Sequence, residues 1–306
     1  MFGTARLRAA GRATVTATAL LGACAALVTA GQGTATATAS SASAVRYVAL
    51  GDSYASGFGI TPVESKECGR GKLNYPAVIR AAADPAAYKN VACAGATTRA
   101  IWNSYEGQEP QIKALKPDTN LVTVSIGGND IGFSEIVVNC VLLGQRQPTG
   151  DPCRQHYKKS GEDRILATLD SVKSRIGDVV IDARRRSPNA AIALVGYPSL
   201  LPDSGKSCRS AQVPFADGDF AYLRNITVRL NKAIAEQAQR SGAIYVDTYG
   251  PSIGHDMCAS PSERWIEPLR NSGSSEISPA AAHPNTKGII SLGGVISQKL
   301  SRSAGR

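Results

Sequence analysis

Histidine is scarce in this chain: three among 306 residues, at positions 156, 255 and 283. Any imidazole chemistry must fall to one of these three, and a histidine-rich metal site is excluded. Seven cysteines are present, but no two stand in a CxxC-type pair, which removes the spacing that tetrahedral zinc sites use. No basic run is interleaved with aromatics, so the net charge of +10 does not describe a nucleic-acid surface. The densest cationic cluster, Arg184-Arg185-Arg186, ends a helical pattern, where positive charge suits the helix dipole. There is no phosphate loop and no dinucleotide turn; Gly127-Gly128 alone is too short to count as one. No cofactor, metal or nucleic acid is expected, and no internal repeat is visible.

Residues 1–44 lack acidic side chains and lysine altogether. Arg6, Arg8 and Arg12 precede an apolar stretch from Ala13 to Ala30, and a small-residue tract ends in Ala42-Ser43-Ala44. This is the pattern of a cleaved export signal. The apolar stretch is diluted by Thr and Gly, which argues against a permanent membrane span. Leu21-Gly22-Ala23-Cys24 resembles a lipoprotein processing box, the minor alternative, but the apolar run continues past Cys24 through Val28. The expected domains are therefore a signal peptide, 1–44, and one mature domain, 45–306, of 262 residues (306 − 44) with net charge +7 (10 − 3). That length suits a single core, and a moderately basic surface favours encounter with anionic partners such as acidic phospholipid.

Export agrees with the remaining six cysteines, Cys68, Cys93, Cys140, Cys153, Cys208 and Cys258. An even number in an exported chain implies disulfides, with fifteen pairings open. The nearest-neighbour scheme closes three independent loops and is the working expectation. Each bridge would add roughly 2–4 kcal/mol through loop closure.

The mature chain alternates strand-like and helix-like segments. Strands are expected at Val45–Leu50, Asn90–Ala94, Leu121–Ile126, Ala191–Val195 and Ala243–Val246. Helices are expected at Tyr75–Ala83 with Asn74 as N-cap, at Ile165–Arg185 with one apolar stripe, at Phe220–Arg240, and at Asn285–Leu300 despite Gly293-Gly294. Segments 59–72, 144–162 and 201–218 read as long loops that form a rigid pocket rim. Alternation of this kind predicts an α/β fold, a three-layer α/β/α arrangement with a central, mostly parallel sheet. In such sheets functional groups gather beyond the carboxyl ends of the strands.

Four segments carry candidate chemistry. Gly51-Asp52-Ser53-Tyr54 follows the first strand, and a serine at a strand-to-helix turn projects its hydroxyl above the sheet edge. Cys93-Ala94-Gly95-Ala96-Thr97-Thr98 offers an unobstructed N–H at Gly95. Ser125-Ile126-Gly127-Gly128-Asn129-Asp130 can aim the Asn129 amide into a pocket. His283-Pro284-Asn285 supplies an imidazole able to take and return a proton near neutral pH. Taken singly, each is also consistent with an ordinary turn. His156 lies in a polar, lysine-rich loop; His255, beside Asp256 and Cys258, is the one rival to His283.

Taken together, the four segments resemble the GDSL or SGNH hydrolases, a family of lipases and esterases. Ser53, Gly95, Asn129 and His283 match its four namesake positions in order, and the resemblance runs from Val45 to the last helix. It implies a flavodoxin-like sheet, Ser53 as nucleophile, His283 as general base, and an oxyanion hole from the Ser53 N–H, the Gly95 N–H and the Asn129 side chain. The six cysteines are similar to those of an extracellular actinobacterial branch, which implies pairing in chain order. One departure stands out. The family usually places an Asp three residues before the histidine, and here that position is Ala280, with no carboxylate in the five residues before His283. A main-chain carbonyl of Ala280 or a neighbour is expected to orient the ring, with a distant acid as the alternative.

The expected function is that of a secreted, monomeric carboxylic ester hydrolase acting on lipid or small esters through an acyl-enzyme. Phospholipase A and carbohydrate acetylesterase activities on the same site are the alternatives. A non-catalytic lipid- or wall-binding protein is disfavoured because Ser53, Asn129 and His283 are all present. Trp102, Tyr105, Tyr157, Tyr197 and Trp265 are candidates for acyl or rim contacts, with core packing as the competing reading.

Overall fold

Short apolar runs separated by amphipathic stretches bury both faces of a parallel sheet. The computed structural model describes residues 44–203, 205 and 207–304. The expected signal segment and Cys24 lie outside the described residues. Five strands, β1 (Arg46–Gly51), β2 (Ala87–Asn90), β3 (Leu121–Ser125), β4 (Ala191–Val195) and β5 (Ile244–Val246), are all parallel and ordered β2-β1-β3-β4-β5. The helices are α1 (Ser53–Ser56), α2 (Tyr75–Ala83), α3 (Phe133–Arg146), α4 (Pro152–Tyr157), α5 (Arg164–Arg186), α6 (Asp219–Ser241) and α7 (Thr286–Ala304).

Strand alternation sorts the core into two layers. Tyr47, Ala49, Ala193 and Val195 point to the face covered by α2 and α7, where they meet Tyr75, Ile79 and Ile296. Val48, Leu50, Val122, Val124, Ile192 and Leu194 point to the other face, against Ile176, Val179 and Val180 of α5 and Ile226, Leu230 and Ile234 of α6. The three layers therefore follow from period-2 strands against period-3.6 helices. Helix α7 runs unbroken through Gly293, because a Cβ there would come within 2.5 Å of Val78 Cβ on α2. Close helix packing compensates for the poor helix propensity of glycine.

Several boundaries differ from expectation. The second strand is Ala87–Asn90, not Asn90–Ala94; the apolar run Val91-Ala92-Cys93 lies beyond it, although Val91 and Cys93 still donate to the carbonyls of Ala49 and Gly51. Segment 144–162 is not one long loop: α3 extends to Arg146, and α4 fills 152–157. The sequence reading assigned no helix to 133–146. The cysteines are bonded in chain order, Cys68–Cys93, Cys140–Cys153 and Cys208–Cys258. Among the described residues, no helix is long and apolar enough to cross a membrane.

Strand order reverses between β1 and β3, since the chain first builds outward to β2 and then crosses to the other side of β1. The crevice beyond the carboxyl ends of two such strands is where open α/β sheets hold ligands. Ser53 follows β1 and Asn129 follows β3.

Candidate active site

The turn after β1 is fixed by side chains remote in sequence. Gln111 clamps both main-chain groups of Gly51: the Gly51 N–H donates to Gln111 Oε1 (2.7 Å), and Gln111 Nε2 donates to the Gly51 carbonyl (2.9 Å). Asp52, 1% exposed, caps α1 by accepting the Tyr54 N–H at Oδ1 (3.0 Å). Its other oxygen accepts the Tyr197 hydroxyl at 2.5 Å. Burial pushes the Asp52 carboxyl up to about 7, with the Tyr197 and Tyr54 donors pulling the other way. Ser53, the first residue of α1, keeps 8% of its surface exposed. Among the described residues, its N–H finds no acceptor.

The second and third segments are tied to each other. The Asn129 amide donates to the Ala96 carbonyl (2.9 Å), leaving its second N–H unengaged. Asp130 accepts the Thr98 N–H (2.8 Å) and the Thr98 hydroxyl (2.5 Å), and it pairs with Arg175 at 3.2 Å. Gly95 sits at φ +78°, and a Cβ there would fall 2.4 Å from the Tyr105 hydroxyl, so only glycine fits. Tyr105 in turn donates to the Ala94 carbonyl (3.2 Å).

His283 enters from the turn before α7. Its Nδ1 lies 2.8 Å from the Ala281 carbonyl. A carbonyl only accepts, so Nδ1 carries the proton and Nε2 is left with its lone pair. The ring packs between Tyr54 (centroids 5.2 Å apart) and Phe58 (5.1 Å). Burial pulls its pKa down to about 4, with the bond to Ala281 opposing. The preceding residue, Ala282, is held at φ +61°, and its carbonyl accepts the Tyr54 hydroxyl at 2.6 Å. The nucleophile turn thus buttresses the histidine turn directly.

Ser53, Asn129 and His283 line one cleft of about 450 Å³ of empty volume. Asp52, Tyr54, Gly128 and Tyr197 also line it, as do the apolar side chains of Ile131, Phe133, Leu200, Ile226 and Leu230. Such a cleft places a candidate nucleophile and base beside apolar surface.

The expected site residues are distributed as follows. Ser53, Asn129 and His283 share the cleft; Gly95 is not among its lining residues, although its neighbour Ala96 accepts from Asn129. His255 is elsewhere, its Nδ1 2.7 Å from the Glu263 carbonyl and its ring stacked on Trp265. Of the five aromatic candidates, only Tyr197 lines the cleft. Trp102 donates to Asp182, Tyr157 accepts from Asn139, and Trp265 packs on His255. Sequence reasoning missed Gln111, Asp130 and the wall residues from α6. Asp130 had a signal, its place beside Asn129. Gln111 had none, being a lone buried amide whose partner, Gly51, stands 60 positions earlier in the chain.

Known proteins resemble this chain in sequence and in fold. Residues 49–288 match the family model of the GDSL-like Lipase/Acylhydrolase family. The chain is 40% identical over 232 residues to Lipase 2 of Streptomyces coelicolor, covering 73% of this chain and 76% of that one. It is 34% identical over 289 residues to an esterase of Streptomyces scabiei, covering 79% and 81%. Among solved structures, phospholipase A1 from Streptomyces albidoflavus superposes with a TM-score of 0.68 at 28% identity, over 84% of this chain and 99% of that one. An extracellular lipase from Streptomyces rimosus does so with a TM-score of 0.65 at 25% identity, over the same shares.

Proposed function

The chain belongs to the GDSL-like lipase/acylhydrolase family, and from that premise we propose that it is a secreted carboxylic ester hydrolase with Ser53 as nucleophile and His283 as general base. The observation that carries this reading is the convergence of Ser53, Asn129 and His283 on one cleft with an apolar wall. His283 Nε2 takes the Ser53 proton as Oγ bonds to the ester carbonyl carbon, and the carbonyl electrons move onto oxygen. That oxyanion is received by the Ser53 N–H and the Asn129 amide, with the Gly95 N–H, whose residue lies outside the cleft lining, as the expected third donor; such donors are each worth about 10²–10³ in rate. His283 then returns the proton to the leaving alkoxide, and water repeats the sequence on the acyl-enzyme. The Ala281 carbonyl keeps the Nδ1 proton in place throughout, doing by neutral dipole what an Asp does elsewhere.

The acyl chain lies along Ile131, Phe133, Leu200, Ile226 and Leu230, and the alcohol leaves toward solvent. Each methylene buried there adds about 0.8 kcal/mol, about fourfold in kcat/KM, until the cleft is full. Residues 1–44 are removed on export, the disulfides suit the oxidising exterior, and the mature protein acts as a monomer. A second reading, that the ester belongs to a phospholipid, is favoured by the likeness to a phospholipase A1 and by the mature charge of +7 (10 − 3).

Hydrolysis of a p-nitrophenyl ester series of increasing acyl length, by the wild type and by Ser53→Ala, tests the assignment. We expect kcat/KM to rise with chain length and then level off, and Ser53→Ala to lose about 10⁴-fold or more. A folded Ser53→Ala variant with substantial turnover would remove Ser53 from the mechanism.

A further inference from the structure

Two consecutive glycines place Asn129, and glycine supplies freedom without fixing where it ends. Gly127 lies at φ +117°, a conformation that only glycine adopts readily. Something must hold the turn after β3 once it is formed. The Asn129 side chain is held from one side by Ala96, but the Gly127–Gly128 peptide is held by a different group. The Gly128 N–H donates to the Tyr197 hydroxyl at 2.9 Å, and that hydroxyl donates onward to Asp52 at 2.5 Å. Tyr197 reaches this position from beyond β4, on the far side of β3 from the nucleophile turn.

Tyr197 is itself held firmly. Its main-chain N–H donates to Asn231 Oδ1, and Asn231 Nδ2 donates to its carbonyl, both at 2.8 Å. This clamp from α6 mirrors the clamp of Gln111 on Gly51. The Tyr54 ring meets the Tyr197 ring edge-on at 4.9 Å. A Cβ at Gly128 would sit 3.2 Å from the Tyr197 ring carbon Cζ and from its hydroxyl, so the two groups are in tight contact. All members of the chain are buried: Asp52 is 1% exposed and Tyr197 4%. A buried donor stripped of its partner costs about 1–3 kcal/mol, so loss of the Tyr197 hydroxyl releases the Gly128 peptide to find another.

We propose that Tyr197 is a positioning residue that locks the oxyanion turn, Gly127 to Asn129, to the nucleophile turn at Asp52–Ser53, so that the donor and the nucleophile keep a fixed separation. Tyr197 borders the cleft, and the role assigned to it is to hold the Gly128 N–H rather than to act on the ester. This rests on the assignment of Ser53 and Asn129 above. Because the lock acts on the transition-state donor, its removal lowers kcat and leaves KM nearly unchanged. A residue of the acyl wall would do the reverse.

The test uses the secreted protein produced from the full chain. Tyr197→Phe is expected to fold, by circular dichroism and thermal melting, and to lose about 10–10² in kcat on p-nitrophenyl butyrate, the scale of a displacement of about 1 Å in a reacting group. KM should stay within about twofold. In an Asn129→Ala background, the further loss from Tyr197→Phe should shrink to less than about threefold, because the donor it positions is gone. Unchanged kcat, a raised KM with kcat intact, or the same loss in both backgrounds would each overturn the proposal. If Tyr197→Phe does not fold, Asp52→Asn decides. It keeps a capping oxygen for Tyr54 but removes the acceptor of the Tyr197 hydroxyl, and a kcat loss at constant KM supports the lock while unchanged kcat refutes it. Ser53→Ala separates the two levels: an active Ser53→Ala variant sinks the catalytic assignment, whereas an inactive one beside an unimpaired Tyr197→Phe sinks only the role of Tyr197.

Discussion

The turn that carries Ser53 and the turn that carries His283 meet in one cleft, and each is anchored differently. The first hangs on a buried carboxylate, with Asp52 receiving Tyr54 and Tyr197 and with Gln111 gripping Gly51 from both sides. The second hangs on carbonyls: Ala281 holds the ring, and Ala282 is held by the Tyr54 hydroxyl. Family members usually put the acid beside the histidine. Here the buried acid stands beside the serine, and the histidine has a neutral partner. Burial therefore shifts the two groups in opposite directions, the Asp52 carboxyl up to about 7 and the His283 imidazole down to about 4, because each loses its charged form on leaving water.

Within the histidine turn, replacing His283 itself should have the largest effect. His283→Ala is expected to lose about 10²–10⁴ in kcat with the fold intact, measured as steady-state turnover beside circular dichroism. Next in size is the pH profile. A base whose pKa is depressed from 6.5 to about 4 stays neutral, and competent, down to that pH. The acid limb of kcat/KM should have its midpoint near pH 4, with about a tenfold fall per unit below it. A midpoint near 7 would instead assign the limb to Asp52, and Asp52→Asn would then abolish it. The smallest effect should come from Asp256→Asn. Asp256 is a buried acid in the C-terminal third whose Oδ1 accepts the Cys258 N–H at 2.9 Å, and it makes no hydrogen bond to His283. Turnover within about threefold of wild type is expected; an inactive, folded Asp256→Asn would restore a distant acid to the histidine and erase the contrast between the two turns.

The chain's local patterns made much of this legible. Short continuous apolar runs give the strands at 46–51, 121–125 and 191–195 within a residue or two, and the stripe from Ile165 to Val180 gives α5, because such runs and stripes are properties of neighbouring residues. The edge strand β2 was misplaced since Ala-Tyr-Lys-Asn has no apolar run, and the apolar Val-Ala-Cys beyond it does. Helix α3 carries an apolar stripe of Ile136, Val137, Cys140 and Val141 that is hard to see in the sequence beside the Gly-Gly-Asn-Asp turn that precedes it.

At the site, the sequence by itself determined the chemical groups: a serine and an asparagine after strands, a histidine before the last helix, and the absence of an acid at position 280. With no acid there, a carbonyl of Ala280 or a neighbour is the expected partner of His283 and a distant acid the alternative; only the folded chain picks out Ala281. The folded chain alone decided which groups hold them. Gln111 grips Gly51 across 60 residues, Tyr197 reaches Asp52 across 145, and Tyr54 reaches Ala282 across 228. Buried amides and hydroxyls of this kind leave no periodic trace. Their role arises only when the parallel sheet brings the ends of β1, β3 and β4 side by side, and desolvation there makes each unpaired polar group costly enough to require its partner.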